Sequence, residues 1–424
     1  MRKLLLLLYF FTLSWTSAFS LTWTISFPII ISCIFGILVL INTISGRMNS
    51  VLFKAEFMLV AFVVAVLVSY LINLPSFLSS KPTNHLIAYL FTVIILYFCI
   101  RLYFNYLNSK ISDFLGKVLK WLSFGVFVSA TFGLFEFLSK NLFDFSIDEY
   151  IPRSFVEEYT PTFLGKFIRL RSFVEESGHY ALFIEICLPL MVYYFFYHPT
   201  GKATRRIVAY IYVIITIIAF IFTFSSAGIA IAGIMLVVLG LTNIQSRITP
   251  QFLTTFVFIL VVIIGLVYWT NNYLIDELNI NINEALNILT IEKATDSGSQ
   301  MDRTEKIQTA IEVIKNSNIL NLLIGYGPAA YDSLRIDIVI GLYVVLFLET
   351  GIFGLTFFVC FFIYIYLKLF SIQNKPFRTS LTISISSALI HYLFIGNYYY
   401  PWLWLACGIV YLYPLAEYNH ATEN

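Results

Sequence analysis

Long apolar runs broken by short polar intervals dominate the chain. A helix needs roughly 20 apolar residues to cross a hydrocarbon core of about 30 Å. Runs of that order fall near 4–19, 25–43, 55–73, 85–100, 118–138, 178–197, 207–224, 227–243, 251–270, 351–370, 379–395 and 401–416. The pattern predicts about twelve spans. Period-two alternation is absent, which argues against a β-barrel. Backbone in lipid must satisfy its own hydrogen bonds, so the runs are predicted to be helices. Arg2 and Lys3 before an apolar stretch have the look of a signal peptide, but no clean small-residue cleavage site follows and a second run begins almost at once. A retained first helix is therefore expected.

Two intervals are long, 139–177 and 271–335. With the N-terminus inside, the inner segments collect Arg2, Lys3, Arg47, Lys54, Arg101, Lys110, Lys117, Lys120, Lys202, Arg205, Arg206, Arg247, Lys368, Lys375 and Arg378. Their acids are Glu56, Asp113, Glu417 and Glu423, and the short outer loops hold a single basic residue, Lys81. This asymmetry puts both termini in the cytoplasm and both long loops outside. The expected organisation is N-terminal spans (1–138), a first outer loop (139–177), central spans (178–270), a second outer loop with amphipathic and half-buried helices (271–350), and C-terminal spans (351–424).

Composition narrows the class. Of 424 residues, 59% are hydrophobic and 12% charged, against about 25% charged in soluble proteins. A soluble enzyme, a disordered chain and a disulfide-stapled domain are excluded. A net charge of +2 implies no nucleic-acid partner. Cys33, Cys99, Cys187, Cys360 and Cys407 all lie in apolar runs without ligand spacing, so no metal or disulfide framework is expected.

The chemistry concentrates in the two long loops; at mid-membrane depth only Glu136, Glu185 and Glu349 are candidates. The hexapeptide Arg-Ser-Phe-Val-Glu-Glu occurs at Arg153–Glu158 and again at Arg171–Glu176. The first copy reads as a solvated loop with local Arg–Glu pairing. The second runs into a span through Ser177, Gly178, His179 and Tyr180, and Arg169 and Arg171 would point one way on an extended segment. In the second loop, capping-box spacings at Ser299–Asp302 and Asp302–Glu305 precede Ile307, Ala310, Ile311 and Ile314 at helical spacing. An amphipathic helix on the membrane face is expected there. Arg303 and Lys306 in its first turn oppose the helix dipole, which fits either a solvated helix face, the reading this pattern alone favours, or an anionic ligand for Arg303. Gly325-Tyr326-Gly327-Pro328 marks a sharp turn, and Arg335 and Asp337 precede an apolar run. The stretch 336–370 exceeds one span, so a short half-buried helix, a break and a full span are expected.

Four short motifs occur in an order that resembles the bacterial O-antigen polymerase and O-antigen ligase superfamily. They are Arg169-Leu-Arg171-Ser-Phe-Val-Glu-Glu-Ser-Gly-His179-Tyr-Ala, Thr223-Phe-Ser225-Ser226-Ala-Gly228, Arg303 ahead of a helix and Gly325-Tyr-Gly327, and Glu349-Thr-Gly351-Ile-Phe-Gly354. They cover roughly 165–355; the flanking spans match only in topology. The chain departs from the pattern in three ways. Ile340 stands where ligases carry a His, which favours polymerase. Ser226 stands where the hairpin often has Arg. The Pro that often follows the Glu of the first motif is absent, so Glu175 and Glu176 are not distinguished.

The resemblance implies an all-α polytopic glycosyltransferase of the GT-C-like integral-membrane class, in the bacterial inner membrane with its active site facing the periplasm. The donor would be an oligosaccharide on undecaprenyl pyrophosphate and the acceptor another lipid-linked repeat unit. Membrane lipids and a polysaccharide chain-length regulator are candidate partners, and no cofactor is implied. Departing pyrophosphate needs fixed cations, and Arg169, Arg171, Arg303 and Arg335 supply planar forks. The acceptor hydroxyl needs a base. Glu175, Glu176, His179 and Asp337 are placed for it, with Glu176 first because it lies nearest the span. Gly325 and Gly327 would let backbone approach the substrate. A ligase and a flippase for the same lipid are the competing expectations.

Overall fold

A computed structural model describes residues 2–20, 25–48, 53–153, 162–163, 167–202, 206–244, 297–337 and 339–413. The expected span 251–270, the start of the second loop, the rest of the first hexapeptide copy after Arg153 and the C-terminal residues 414–424 lie outside the described residues.

The described chain is helical apart from a two-residue antiparallel ladder of Thr162–Phe163 with Phe167–Ile168. In order come α1 (Arg2–Phe11), α2 (Phe27–Ile44), α3 (Lys54–Asn73), α4 (Lys81–Asn108, with a π-helical middle at Phe91–Cys99), α5 (Phe114–Phe143), α6 (Ser177–Phe196), α7 (Arg206–Ile221) and α8 (Ser226–Ile244). Then follow α9 (Ser297–Lys315), α10 (Ile319–Ile324), α11 (Ala330–Leu334), α12 (Leu342–Phe370), α13 (Lys375–His391) and α14 (Pro401–Ile409). Among the described residues six helices are long and apolar enough to cross a membrane: α2, α3, α4, α5, α6 and α12.

Helix α6 is the centre of the bundle. Tyr180, Leu182, Phe183, Ile184, Ile186, Cys187, Leu190 and Met191 are all buried, and α6 packs on α5, α7 and α13. A helix that is apolar all round belongs inside. The peripheral helices show the complementary pattern. Ile37, Leu40, Ile41 and Ile44 on α2, and Val60, Val64, Val68 and Leu71 on α3, are exposed at helical spacing. These are stripes for lipid, where burial in water would otherwise be required.

Polar contacts gather at the two ends of the bundle. At one end His198 meets Asp113, Asn108 bonds to Leu412 O and Asn374 reaches Tyr193, amid Lys110, Lys117, Lys368, Lys375 and Arg378. At the other end, here the loop end, Arg153 meets Glu136, Ser69 bonds to Glu349 O, and His179 meets Tyr400.

Several expectations change. The first run is not one span. Helix α1 stops at Phe11, about 15 Å long at 1.5 Å per residue. The following buried turn gives its backbone bonds to the first loop: Ser17 N and Ala18 N both donate to Phe173 O (3.2 and 3.1 Å), and Phe19 N donates to Pro152 O (2.7 Å). Arg101 and Glu56, assigned to the inner segments, are instead a buried ion pair between α4 and α3. Helix α9 begins at Ser297, and its seam is Ala310, Val313 and Ile314 packed on Ala330, Val339 and Leu348, so the protein itself covers that face; Ile311 is exposed.

The expected break in 336–370 is present, at Gly351 (φ 63°, ψ −166°), although helix begins only at Leu342. The break and the Gly325 turn interlock. A Cβ on Gly351 would lie 2.4 Å from Leu323 C, and one on Gly325 (φ 78°) would lie 2.4 Å from Glu349 C. Tyr326 N and Gly327 N donate to Leu348 O (2.7 Å) and Glu349 O (3.1 Å), the carbonyls that the break leaves without helical partners. Either Gly325→Ala or Gly351→Ala should therefore cost at least about 2 kcal/mol, since both sites combine a left-handed backbone with overlap. Thermal unfolding in detergent checks this, with Gly233→Ala, which meets nothing within 4 Å, expected to be neutral.

Candidate functional site

Two buried carboxylates organise the loop end. Glu136, near the end of α5, accepts from Arg153 Nη2 (3.0 Å) and from Ser172 N (2.9 Å), and Arg171 Nε lies 4.0 Å away. Arg153 also donates to Ser172 O (2.7 Å) and Val174 O (3.1 Å). The arginine that opens the first hexapeptide copy thus clamps the backbone of the second. Its side chain is 3% exposed, so the expectation of a solvated first copy does not hold at Arg153. Ser172 adopts a left-handed backbone (φ 55°) and its hydroxyl donates to Ser129 O (2.8 Å), which reverses the chain ahead of α6.

Among the described residues Arg169 and Arg171 engage different partners. Arg169 donates to Thr223 O (2.9 Å) and Phe224 O (3.1 Å), carbonyls of the turn between α7 and α8. It therefore secures the Thr223–Gly228 hairpin. Arg171 is buried and lies against Glu136 and the Glu175 carbonyl (3.4 Å).

The reversed chain turns Glu175 inward and leaves Glu176 outside: their side chains are 25% and 59% exposed. Glu175 Oε1 accepts from the Tyr400 hydroxyl, and Asn397 Nδ2 lies 3.5 Å away. His179, in the first turn of α6, has Nε2 3.2 Å from Asn397 Nδ2 and Nδ1 3.0 Å from Tyr400 Oη. With the amide donating to Nε2, the ring proton sits on Nδ1. The donors then run in one direction, from His179 to Tyr400 to Glu175, which receives them as an ionised carboxylate. Burial and then the neighbouring Glu176 charge push the Glu175 carboxyl up to about 7. The arginines were expected to lower it; the nearest, Arg171, meets its backbone carbonyl.

Glu349 on α12 is the second hub. Its carboxylate accepts from Tyr89 OH (2.5 Å) and Ala329 N (2.8 Å), with His85 Nδ1 at 3.3 Å. Tyr89 stacks on Tyr398 at 4.3 Å between centroids, and Tyr398, Tyr399, Tyr400 and Trp402 continue as a row of rings. The row joins the Glu349 hub to the Glu175 cluster. Asn397 and Tyr400 were missed from the sequence. The signal was Asn397-Tyr-Tyr-Tyr-Pro401, a polar aromatic interval between two apolar runs.

The remaining expected site residues separate. Gly325 and Gly327 serve the packing of the turn. Arg335 and Asp337 are exposed around an open bowl beside α11. Arg303 lies on α9, but its side chain is outside the described residues. Among the described residues no group of three or more His, Cys, Asp or Glu side chains is arranged to hold a metal ion.

Fold and site define a polytopic helical membrane protein with an ionisable cluster at one end. No protein-family model matches the chain, and no curated protein matches it.

Arg153→Ala would take a charged donor from Glu136 and from two carbonyls in a buried setting, and should cost about 3–5 kcal/mol. The midpoint of thermal unfolding measures it, with the exposed Lys140→Ala expected to stay near wild type.

Proposed function

We propose that the chain is a surface-polysaccharide polymerase of the O-antigen type, a GT-C-like membrane glycosyltransferase. It would join repeat units carried on undecaprenyl pyrophosphate, on the periplasmic face of the inner membrane. Both termini would lie in the cytoplasm, with about twelve spans in all. The observation that carries the reading is the inward-turned Glu175, held by Tyr400, His179 and Asn397 at the mouth of α6. A carboxyl raised to about 7 is matched to taking a proton from a sugar hydroxyl near neutral pH.

In the proposed step the acceptor hydroxyl oxygen attacks the anomeric carbon of the donor sugar. The bond from that carbon to the pyrophosphate oxygen breaks, and the lipid pyrophosphate leaves with the electron pair. The hydroxyl proton passes to Glu175. Arg303, on α9, would supply a fixed cation for the leaving group. Arg171 orients the Glu175 turn through its backbone carbonyl. Tyr400 and His179 hold the carboxylate as an acceptor until the substrate hydroxyl replaces water beside it.

Ile340, at the entrance to α12, occupies the place of the ligase His and favours polymer growth over transfer to lipid A-core. A flippase would carry its ionisable groups along a path through the bundle. Here Glu185 pairs with His391 (2.9 Å) and Glu56 with Arg101, both packed in the interior, which favours chemistry at the end of the bundle.

Glu175→Gln should stop turnover of the purified enzyme while leaving lipid-linked substrate bound, and Glu176→Gln should keep activity. The rate should fall below about pH 7, because protonated Glu175 accepts no proton. Removing the Glu176 charge takes away one cause of the raised value, so the acidic limb of Glu176→Gln should move to lower pH. Normal turnover of Glu175→Gln would refute the assignment. Sidedness is tested separately in a cysteine-free background. Asp144→Cys and Glu312→Cys should react with an impermeant maleimide in outer-permeabilised cells, and Lys110→Cys and Ser371→Cys only after lysis. The opposite pattern would invert the topology.

A further inference from the structure

Beside the Glu349 hub, the start of α4 and the short helix α11 enclose an open bowl of about 540 Å³. Its polar lining is Ser79, Lys81, Tyr331, Asp332, Arg335 and Asp337. We propose that this bowl binds an uncharged sugar residue of the glycan. The identity of the glycan rests on the polymerase reading; the chemistry of the bowl does not.

Charge decides the class of ligand. Two cations, Lys81 and Arg335, face two carboxylates, Asp332 and Asp337, so the formal charges cancel. A pyrophosphate or a uronate would bring its charge against both aspartates. A neutral sugar disturbs no balance: its hydroxyls donate to the carboxylates and accept from the ammonium and the guanidinium. The volume lies within the range of about 300–1,000 Å³ common to small-molecule sites.

The lining is fixed in advance on one side. Asp332 Oδ1 lies 2.9 Å from Lys81 Nζ, and Oδ2 accepts from Ser79 at 2.6 Å. The Ser79 hydroxyl and then the Lys81 ammonium hold the Asp332 carboxyl below its usual range, so it remains an acceptor. Tyr331 is half-buried, with Lys81 Nζ 5.6 Å from its centroid and the His85 ring at 5.7 Å. Its ring is a stationary apolar surface of the kind on which the C–H face of a pyranose packs. Arg335 ends α11 in a left-handed conformation (φ 54°). The turn is closed by Ile336 N donating to Tyr331 O (3.0 Å), which keeps Tyr331, Asp332 and Arg335 on one rim. An arginine held in that conformation costs of order 1 kcal/mol, and Gly or Asn would occupy it more easily, so its presence points to use of the guanidinium.

Ser79 and Lys81 also tie the α3–α4 connection to α11, and a purely structural tether is the competing role. Saturation-transfer NMR on the full chain in nanodiscs separates the two. The probes are the methyl glycosides of glucose, galactose, mannose and N-acetylglucosamine, with methyl glucuronide as a charged comparison and inorganic pyrophosphate as a competitor that displaces the observed glycoside if it binds more tightly. Transfer to at least one neutral glycoside is expected. It should fall about fivefold or more, the equivalent of one lost stacking contact or hydrogen bond, in Tyr331→Ala and in Arg335→Gln. Arg335 is exposed, so Arg335→Gln should keep the thermal midpoint and report binding alone. Transfer to none of the neutral glycosides, undiminished transfer in both variants, or tighter binding of glucuronide or pyrophosphate overturns the proposal. Glu175→Gln should bind the neutral glycoside as wild type does. If that variant also polymerises normally, the polymerase base is refuted and the sugar bowl stands.

Discussion

A carboxylate carried into a bundle that faces lipid must find its donors within the protein, because no water arrives to supply them. Glu136 and Glu349 are two such groups, each near the loop end of a long helix, and connecting segments supply donors to both. Glu136 takes the Arg153 side chain and the Ser172 amide; Glu349 takes the Tyr89 hydroxyl on α4 and the Ala329 amide, with the His85 ring alongside. The first loop is thereby locked over α5 and the Gly325 turn over α12. Removing either carboxylate would leave several buried donors without partners. Positions that look remote in sequence, such as Ala18, Arg153 and Phe173, are drawn into one layer by this requirement.

Once the second hexapeptide copy is locked by Glu136, its two final glutamates have no freedom to exchange places. The left-handed Ser172 turn sends Glu175 inward and Glu176 outward. Burial then raises the carboxyl of Glu175, and the charge of Glu176 adds to it. The raised Glu175 carboxyl is thus a consequence of how the loop is held, and Arg171 of the same segment meets its backbone carbonyl. The tyrosine row from Tyr89 to Tyr400 connects this cluster to the Glu349 hub, so the two parts of the loop end form one packed surface.

Helices were legible in the sequence because a long apolar run in lipid has few alternatives, and the break at Gly351 was legible because 336–370 exceeds one span. The first run misled because apolar composition does not distinguish a span from a buried turn; Leu13 and Ala18 are buried in protein while outside any helix. Arg101 and Glu56 were counted as loop charges because hydropathy windows blur helix ends, and only the contact between α3 and α4 reveals the pair. Arg169 and Arg171 share a spacing, yet among the described residues they meet different groups, the turn after α7 and Glu136 on α5. Glu175 could not be separated from Glu176 by adjacency, because the deciding element is a left-handed serine three residues before the first of them. Asn397 and Tyr400 were overlooked because a short aromatic interval has no periodicity to mark it.

The most direct measurement uses the purified chain in proteoliposomes, given a polyprenyl-pyrophosphate-linked oligosaccharide on the side of the loop end, with products followed by mass spectrometry. The expected result is a ladder of lipid-linked products rising by one repeat unit at a time, with one polyprenyl pyrophosphate released per bond formed. Substrate that is recovered unchanged, hydrolysed without coupling, or only moved across the bilayer would contradict the account.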